Sequence, residues 1–270
     1  MLNCVSYEPF SDPNYPSNVD LALKNTLSLV VAQGFKCIKT YYAQYYGLKI
    51  ADYAKTYNLK IVIGIQMGQT WTESEITTAI ASCNNTNVVA IYAGNENLPN
   101  TQNVLDLITI RNRLKTAGCK IPFGTVQTFT YYMGTPDANV MSNMDWFGYN
   151  IYPFFTALNG LTSQNMLRAQ ISALKNKYPT TFQKFIISET GWPSAGLGSP
   201  QGNPSTLANA KQYADYFASM LCSGEIGTAW VSYFVFNDPT YKTNVPDYEN
   251  HFGLIDPNGW PKWNITNLHC

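Results

Sequence analysis

The sequence predicts an α/β fold, a single-domain (β/α)8 TIM barrel, and three observations support this prediction. The chain has 270 residues, a length that one such barrel commonly has. Eight short apolar runs alternate with amphipathic ones, and this alternation favours parallel strands joined by helical crossovers. No linker, charge block or low-complexity segment divides the sequence, so we expect one domain over residues 1–270.

The predicted strands are short runs of apolar and β-branched residues. In chain order they occupy residues 3–8, 37–41, 60–66, 88–93, 121–127, 146–151, 185–188 and 229–236. The predicted helices between them occupy residues 18–33, 47–57, 73–82, 103–117, 164–177 and 205–221. In the first helix, Leu23, Leu27 and Val30 recur at near-helical spacing. After the fifth strand, residues 137–142 leave room for one turn of helix at most.

A doubly wound open sheet is the structural alternative to the barrel. Such a sheet usually carries a glycine-rich phosphate turn after its first strand. At that position the sequence reads YEPFSDP, which contains no glycine. We therefore prefer the barrel.

Charge and aromatic content indicate the kind of partner to expect. Lysine plus arginine (17) equals aspartate plus glutamate (17), so neither nucleic acid nor an anionic membrane is an expected partner. Aromatic residues make up 14% of the chain, including 19 tyrosines. Most of them belong in the core, but several can line a cleft for an uncharged, ring-shaped ligand.

The six cysteines favour disulfides over a metal site. They show no CxxC spacing and are accompanied by only two histidines, so we expect neither a metal nor a cofactor. In a barrel, Cys83 and Cys119 precede adjacent strands, so they can form a disulfide. Cys4 and Cys37 lie in adjacent strands and can form a second one. Cys222 and Cys270 remain as the third pair. An even cysteine count and two sequons, at residues 84–86 and 264–266, fit a secreted protein. Met1 stands directly before strand-like sequence, which looks like an expression start in place of a removed leader.

Two glutamates stand where a barrel places its chemistry, at the carboxyl ends of strands. Glu96 follows the fourth strand and Glu189 follows the seventh. The other polar residues at these ends are amides and aromatics, a set suited to acid–base chemistry on a neutral, hydroxyl-rich substrate. Two opposed carboxylates are what glycoside hydrolysis requires, one as acid and the other as nucleophile or base. Glycines beside both glutamates allow the backbone to turn sharply there. Asn95 is placed to hold a sugar hydroxyl, and Trp192 is placed to stack on a sugar ring.

Several segments resemble glycoside hydrolase family 17, the β-1,3-glucanases. ISETGWPS at 187–194 resembles the family's nucleophile signature, and AGNE at 93–96 its acid/base segment. YNIYPFF at 149–155 is similar to its strand-six segment, and YFVFNDPTYK with ENHFGLIDP resembles its strand-eight region. CVSYEPF in the first strand fits more loosely. The resemblance implies a (β/α)8 barrel, a retaining mechanism and β-1,3-glucan or laminari-oligosaccharides as substrate.

Carried over by position, the resemblance implies that Glu189 is the nucleophile and Glu96 the acid/base. The residues expected to bind substrate are Tyr7, Asn95, Asn150, Tyr152, Trp192, Asp238 and Lys242. In the strand-eight loop the sequence departs from the family pattern, which has a glutamate at Asp238 and one residue fewer before the lysine. A structural ion pair between Asp238 and Lys242 is therefore an equally good interpretation.

In a retaining mechanism, the molecule that attacks the glycosyl–enzyme decides the product. Water gives hydrolysis, and a hydroxyl of a second glucan gives transfer. The chain has little sequence for an extra subdomain, which favours a short-cleft, fungal-type enzyme that cleaves β-1,3-glucan and transfers part of it. Tyr152, Phe154 and Phe155 are candidates for holding the acceptor sugar. The alternatives are a plain endo-β-1,3-glucanase, a glycosidase acting on another glycan, and a non-catalytic β-glucan-binding barrel. We expect a monomer that is secreted or located in the cell wall.

Overall fold

The computed structural model describes residues 2–68, 72–226 and 229–269, and a sheet of eight parallel strands forms its centre. The strands are β1 (Leu2–Tyr7), β2 (Cys37–Thr40), β3 (Lys60–Ile65), β4 (Val88–Asn95), β5 (Phe123–Thr128), β6 (Trp146–Asn150), β7 (Phe185–Glu189) and β8 (Trp230–Tyr233). Strand β8 pairs with β1, and the order then follows the sequence to β7.

The sheet curls into a nearly closed barrel. Just beyond β7 and β8, the backbone N–H of Phe234 donates to the carbonyl of Thr190 at 2.8 Å, which joins the two edges of the sheet. The predicted (β/α)8 barrel is thereby confirmed. All the carboxyl ends of the strands meet at one face of this barrel, because every neighbouring pair is parallel.

Eight α-helices flank the barrel in the described part of the chain. They are α1 (Val19–Ala32), α2 (Ile50–Thr56), α3 (Thr72–Ala81), α4 (Thr101–Thr116), α5 (Phe129–Met133), α6 (Ala138–Asn143), α7 (Ser163–Lys177) and α8 (Leu207–Cys222). Short polar side chains begin several of them: Asn18, Asn100, Thr162 and Thr206 each accept a backbone N–H from the first turn. Such caps satisfy donors that have no partner inside a helix.

Two connections differ from the sequence prediction. Helix α2 begins at Ile50 rather than at residue 47, because Gln44–Tyr45 and Leu48–Lys49 pair as a small antiparallel hairpin. The two-residue turn of this hairpin, Tyr46–Gly47, has positive φ at both positions, as a type I′ turn requires. The link after β5 holds two short helices, α5 and α6, where we expected one turn at most.

Side chains from every strand fill the barrel interior below its carboxyl face. They form one apolar cluster: Cys4, Cys37, Val62, Ala90, Tyr92, Val126, Trp146, Ile186 and Trp230. A Cβ on Gly124 would lie 2.4 Å from the Trp146 ring, so only glycine leaves room for this indole. A packed interior makes the barrel a rigid support for side chains at the strand ends.

Disulfides join Cys4 to Cys37 and Cys83 to Cys119, as the barrel order predicted. The third predicted pair includes Cys270, which lies outside the described residues. Among the described helices, none has the length and apolar character needed to cross a membrane.

Candidate active site

A cleft of about 470 Å³ opens at the carboxyl face of the barrel. Both predicted catalytic glutamates line it, Glu96 from the end of β4 and Glu189 from the end of β7. Across residues 2–68, 72–226 and 229–269, no three metal-ligating side chains come together to form a metal site. The cleft lining also contains hydroxyl, amide and aromatic side chains and one lysine, Lys242.

Glu189 is held by three donors. Lys39 Nζ lies 2.7 Å from Oε1, the Tyr41 hydroxyl donates to the same oxygen at 2.7 Å, and the Tyr152 hydroxyl donates to Oε2 at 2.8 Å. Glu189 is only 5% exposed, so these contacts replace the water that a charged carboxylate would otherwise bind. The arrangement fixes the position of the Glu189 carboxyl group at the cleft floor.

Lys39 and Tyr41 both contact Glu189, and the sequence analysis selected neither. Lys39 is the less expected of the two. It lies in β2 with no exposed surface, and its ammonium group forms an ion pair with Glu189. The same ammonium group sits 4.1 Å from the centre of the Tyr41 ring. Burial lowers the pKa of Lys39, while the Glu189 charge opposes that shift. A lysine inside an otherwise apolar barrel strand was the available signal, because buried lysines are almost always paired.

Glu96 has a different environment. Its backbone has φ of 54°, a conformation that turns the chain sharply at the end of β4, and its N–H donates to Val126 O at 3.0 Å. One side-chain donor reaches its carboxyl group: Asn150 Nδ2 lies 2.8 Å from Oε1. Asn150 is oriented in turn by the Ser188 hydroxyl, which donates to its Oδ1 at 2.8 Å. No cation forms an ion pair with Glu96 in the described structure.

The two carboxyl groups are thereby prepared for different protonation states. The walls of the cleft, which remove part of the water around Glu96, raise its pKa, and the negative charge of Glu189 raises it further. Glu189 instead has a cation and two hydroxyl donors. Unequal surroundings of this kind separate an acid from a nucleophile in a pair of carboxyl groups.

We expect Glu189→Gln to lower the pKa of Glu96, because the substitution removes a negative charge that opposes ionisation of Glu96. Carbon-13 NMR titration of the glutamate carboxyl groups measures this shift. Glu75 is the matched control: burial raises its pKa to about 7, and Glu189 is not among the causes. A Glu96 titration that stays unchanged while Glu75 also stays unchanged would contradict the proposed coupling of the two carboxyl groups.

A third carboxyl group, Glu8, lines the same cleft. The Tyr241 hydroxyl donates to it, and Lys242 lies near it. Burial raises the pKa of Glu8 to about 7, with Tyr241 and Lys242 opposing the shift. Glu8 stands directly at the end of β1, yet neighbouring Tyr7 was the residue that the sequence analysis selected there.

Four of the predicted binding residues line the cleft: Asn95, Asn150, Tyr152 and Lys242. Tyr7 does not line it. Tyr7 is fully buried behind the strand end, where its hydroxyl bonds to that of Thr26 at 2.6 Å. This placement corrects the expectation that Tyr7 shapes a subsite.

Trp192 also lies behind the cleft wall rather than in it. It is 3% exposed, its indole N–H donates to Pro204 O at 2.9 Å, and its ring packs against Phe154 and Tyr213. The expected stacking on a sugar ring is therefore replaced by a structural role. Phe154 is buried with it, whereas Phe155 lines the cleft.

The strand-eight loop contains two ion pairs, but not the expected one. Asp238 pairs with Lys262 at 2.7 Å and accepts the Gly253 N–H at 2.8 Å, away from the cleft. Lys242 pairs with Glu249 at 3.1 Å, and both residues line the cleft. The structure thus corrects both expectations for Asp238, as a substrate ligand and as the partner of Lys242.

Comparison with known proteins gives a family and a fold. Residues 4–253 match the BtgE/BtgC glycoside hydrolase domain. The probable beta-glucosidase btgE of Aspergillus flavus is 26% identical over 93% of this chain and 42% of its own length. The probable glucan endo-1,3-beta-glucosidase eglC of Aspergillus oryzae is 31% identical over 49% of this chain and 28% of its own length. The chain therefore spans less than half the length of these curated relatives.

A solved structure with the same fold is the glycoside hydrolase family 17 beta-1,3-glucanosyltransferase of Rhizomucor miehei. It superposes with a TM-score of 0.74 at 18% identity, covering 99% of this chain and 97% of its own. At this identity the similarity establishes the barrel architecture.

Proposed function

The chain belongs to the BtgE/BtgC glycoside hydrolase family, and on that premise we propose that it is a retaining glycosidase acting on β-1,3-glucan. Glu189 is the nucleophile and Glu96 the acid/base. The observation that carries this assignment is the contrast between the two carboxyl groups: Lys39, Tyr41 and Tyr152 hold Glu189, whereas Glu96 has Asn150 and a raised pKa.

In the first half-reaction, a Glu189 oxygen attacks the anomeric carbon of the sugar in the cleft. The bond between that carbon and the glycosidic oxygen breaks, and Glu96 gives its proton to the leaving oxygen. The raised pKa of Glu96 keeps this proton available. Asn150 holds the Glu96 carboxyl group in place, with its own amide fixed by Ser188.

In the second half-reaction, the glycosyl–enzyme ester carries no charge at Glu189. The pKa of Glu96 then falls, because the repulsion that raised it has gone, and the Glu96 carboxylate accepts a proton from the incoming hydroxyl. That hydroxyl attacks the anomeric carbon and releases Glu189. One pair of carboxyl groups serves both steps by exchanging a proton.

The choice of β-1,3-glucan is supported by the named activities of similar proteins. The eglC relative is named a glucan endo-1,3-beta-glucosidase, and the superposed Rhizomucor miehei structure is a beta-1,3-glucanosyltransferase. The uncharged aromatic rings of the cleft suit a neutral glycan. Assaying laminarin beside a β-1,4-glucan and a mannan tests the substrate: we expect release of reducing ends from laminarin. Turnover of another glycan with none of laminarin would contradict the proposal.

We further propose that the second step transfers the glycosyl group to another glucan chain. Phe129, Phe155 and Gln170 line the cleft after β5 and β6, the strands next to the Glu96-bearing β4 in barrel order, and we place the acceptor sugar there. Phe155 is 36% exposed there, and its ring packs against the Tyr152 ring with centroids 5.7 Å apart. A positioned acceptor competes with water because its attacking hydroxyl is already aligned.

We expect Phe155→Ala to lower the ratio of transfer to hydrolysis by about fivefold, because truncating a contact aromatic typically costs about 1 kcal/mol of binding. Mass spectrometry of the products from laminaripentaose measures the ratio. Leu197→Ala is the control, since Leu197 is 75% exposed and does not line the cleft. Absence of any product longer than the substrate in the unaltered protein would support plain hydrolysis instead.

The protein is proposed to act outside the cell as a monomer, in or near a β-glucan wall. The disulfides Cys4–Cys37 and Cys83–Cys119 fit an oxidising compartment. Asn84 and Asn264, the acceptor residues of the two sequons, are both exposed. Deglycosylation of protein secreted from a eukaryotic host, followed by mass mapping, tests whether these sites carry glycans.

A further inference from the structure

We propose that a second, aromatic pocket beside the catalytic cleft binds further glucosyl residues of the same glucan chain. We call it the aromatic pocket; its lining includes Phe10, Tyr15, Tyr42, Tyr45 and Tyr46, and its volume is about 470 Å³. The inference rests on the proposed function, since it concerns how much of a β-glucan the protein contacts. It assigns a binding role to side chains that take no part in the reaction described above.

The aromatic pocket adjoins the catalytic cleft through two packed rings, one from each lining. Tyr241 lines the cleft and bonds to Glu8, and its ring contacts Phe10 with centroids 5.0 Å apart. Phe10 in turn contacts the rings of Tyr15, Tyr42 and Tyr45 at 5.0–5.8 Å. A chain of aromatic rings therefore leads from the third carboxyl group of the cleft into the pocket.

The chemistry of the aromatic pocket suits an uncharged sugar. Its lining contains no lysine, arginine or histidine, and its polar groups are tyrosine hydroxyls, the Gln44 amide and Glu75. The Glu75 carboxylate is engaged by the backbone N–H of Ala43 at 2.6 Å. Tyrosine hydroxyls and the amide both donate and accept hydrogen bonds, as sugar hydroxyls do.

Tyr46 is an unusual residue for its place in the hairpin. It is the first residue of the two-residue turn, with φ of 49°, and it is 73% exposed. Asparagine and glycine adopt this backbone conformation most readily, whereas bulky residues rarely do. Packing does not account for the side chain, because most of the Tyr46 ring faces solvent. A ring held at the pocket rim is explained by contact with a ligand.

The hairpin that carries these rings is fixed to the barrel. Besides the Glu75 contact to Ala43, the Gln44 amide donates to the Ser74 hydroxyl at 2.8 Å, so helix α3 holds the base of the hairpin. The rings of Tyr15 and Tyr46 pack with centroids 5.9 Å apart, so Tyr15 supports the Tyr46 ring. The aromatic pocket is therefore formed before substrate binds, which reduces the entropy cost of binding.

The test compares short and long substrates in Tyr46→Asn. Asparagine suits the turn, so this variant keeps the fold while it removes the ring. We expect kcat/KM for laminariheptaose to fall about fivefold or more. We expect kcat/KM for laminaritriose, the shorter substrate, to stay unchanged. Tyr46→Phe keeps the ring and should retain the activity on the longer substrate. Trp260→Ala is the control, because Trp260 is 71% exposed and lines neither pocket.

The outcomes separate this inference from the proposed function. If the unaltered protein cleaves both oligosaccharides and Tyr46→Asn changes neither value, or lowers both equally, the aromatic pocket is not a glucan-binding site and the proposed function stands. If the unaltered protein cleaves no laminari-oligosaccharide, the proposed function fails, and the inference fails with it. A loss confined to the longer substrate supports both.

Discussion

Glu189→Gln is expected to lower kcat by about 10⁴-fold or more, because the amide cannot form the glycosyl–enzyme ester. The substitution keeps the size of the side chain, and the Tyr41 and Tyr152 hydroxyls still have oxygen or nitrogen atoms to contact. Binding of laminari-oligosaccharides should therefore remain within a few-fold of the unaltered protein, since it depends mainly on the cleft walls. Stopped assays give kcat, and titration calorimetry gives the affinity.

Glu225→Gln is the matched control for that experiment. Glu225 pairs with Arg168 at 2.5 Å on the surface and does not line the cleft, so its substitution should leave kcat unchanged. Substantial turnover by Glu189→Gln would show that Glu189 is not the nucleophile. Loss of both turnover and binding would point to a structural role for this carboxylate.

Lys39→Met is the second substitution with a large expected effect. Methionine resembles the lysine stem without its ammonium group, so it leaves Glu189 without its cation, in a site where Glu189 is 5% exposed. Removing one partner of a buried ion pair typically costs about 3–5 kcal/mol. We expect lower stability in urea and a fall in kcat. We also expect the basic limb of the kcat/KM profile to move to higher pH, because the Lys39 charge lowers the pKa of Glu96 and its removal lets that pKa rise further.

The double variant Lys39→Met with Glu189→Gln shows whether the effect arises from the pair itself. With the buried charge also removed, most of the lost stability should return, so the two substitutions should be strongly non-additive. Additive losses would mean that Lys39 stabilises the barrel through packing alone. An unshifted basic limb in the single variant would show that the Lys39 charge does not act on the pKa of Glu96.

The resemblance to glycoside hydrolase family 17 and the barrel were predictable because they rest on local features. Each strand is a short apolar run, and the parallel arrangement follows from the helices between them. Glu96 and Glu189 stand at strand ends in motifs of several residues, so their meeting in one cleft could be expected from barrel order. Asn150 and Tyr152 were found by the same reasoning.

Side-chain direction was not predictable. Tyr7 and Glu8 are neighbours at the end of β1, and adjacent residues of a strand point to opposite faces. Glu8 reaches the cleft, while Tyr7 points to Thr26. The register that decides between them depends on the curvature of the whole barrel. For the same reason, the sequence did not show that Phe155 lines the cleft while its neighbour Phe154 is buried.

Ion-pair partners that are distant in the sequence also could not be predicted. Lys39 and Glu189 are separated by 150 positions, and Asp238 and Lys262 by 24. The pairing of Asp238 with Lys242 was inferred from the acidic and basic positions of the family's strand-eight loop, but the loop turns Lys242 toward Glu249 in the cleft. Charge complementarity alone does not choose among such partners when 17 acidic and 17 basic residues are available.

The central claim is that Glu189 becomes covalently bonded to the sugar while Glu96 moves the proton. The most direct measurement is to inactivate the protein with a 2-deoxy-2-fluoro-β-laminaribiosyl fluoride, digest it and locate the added mass by tandem mass spectrometry. The proposed mechanism predicts one label, on the peptide containing Glu189, with Lys39 still required for its rapid formation. A label on Glu96, or turnover without any covalent adduct and with inversion at the anomeric carbon, would contradict it.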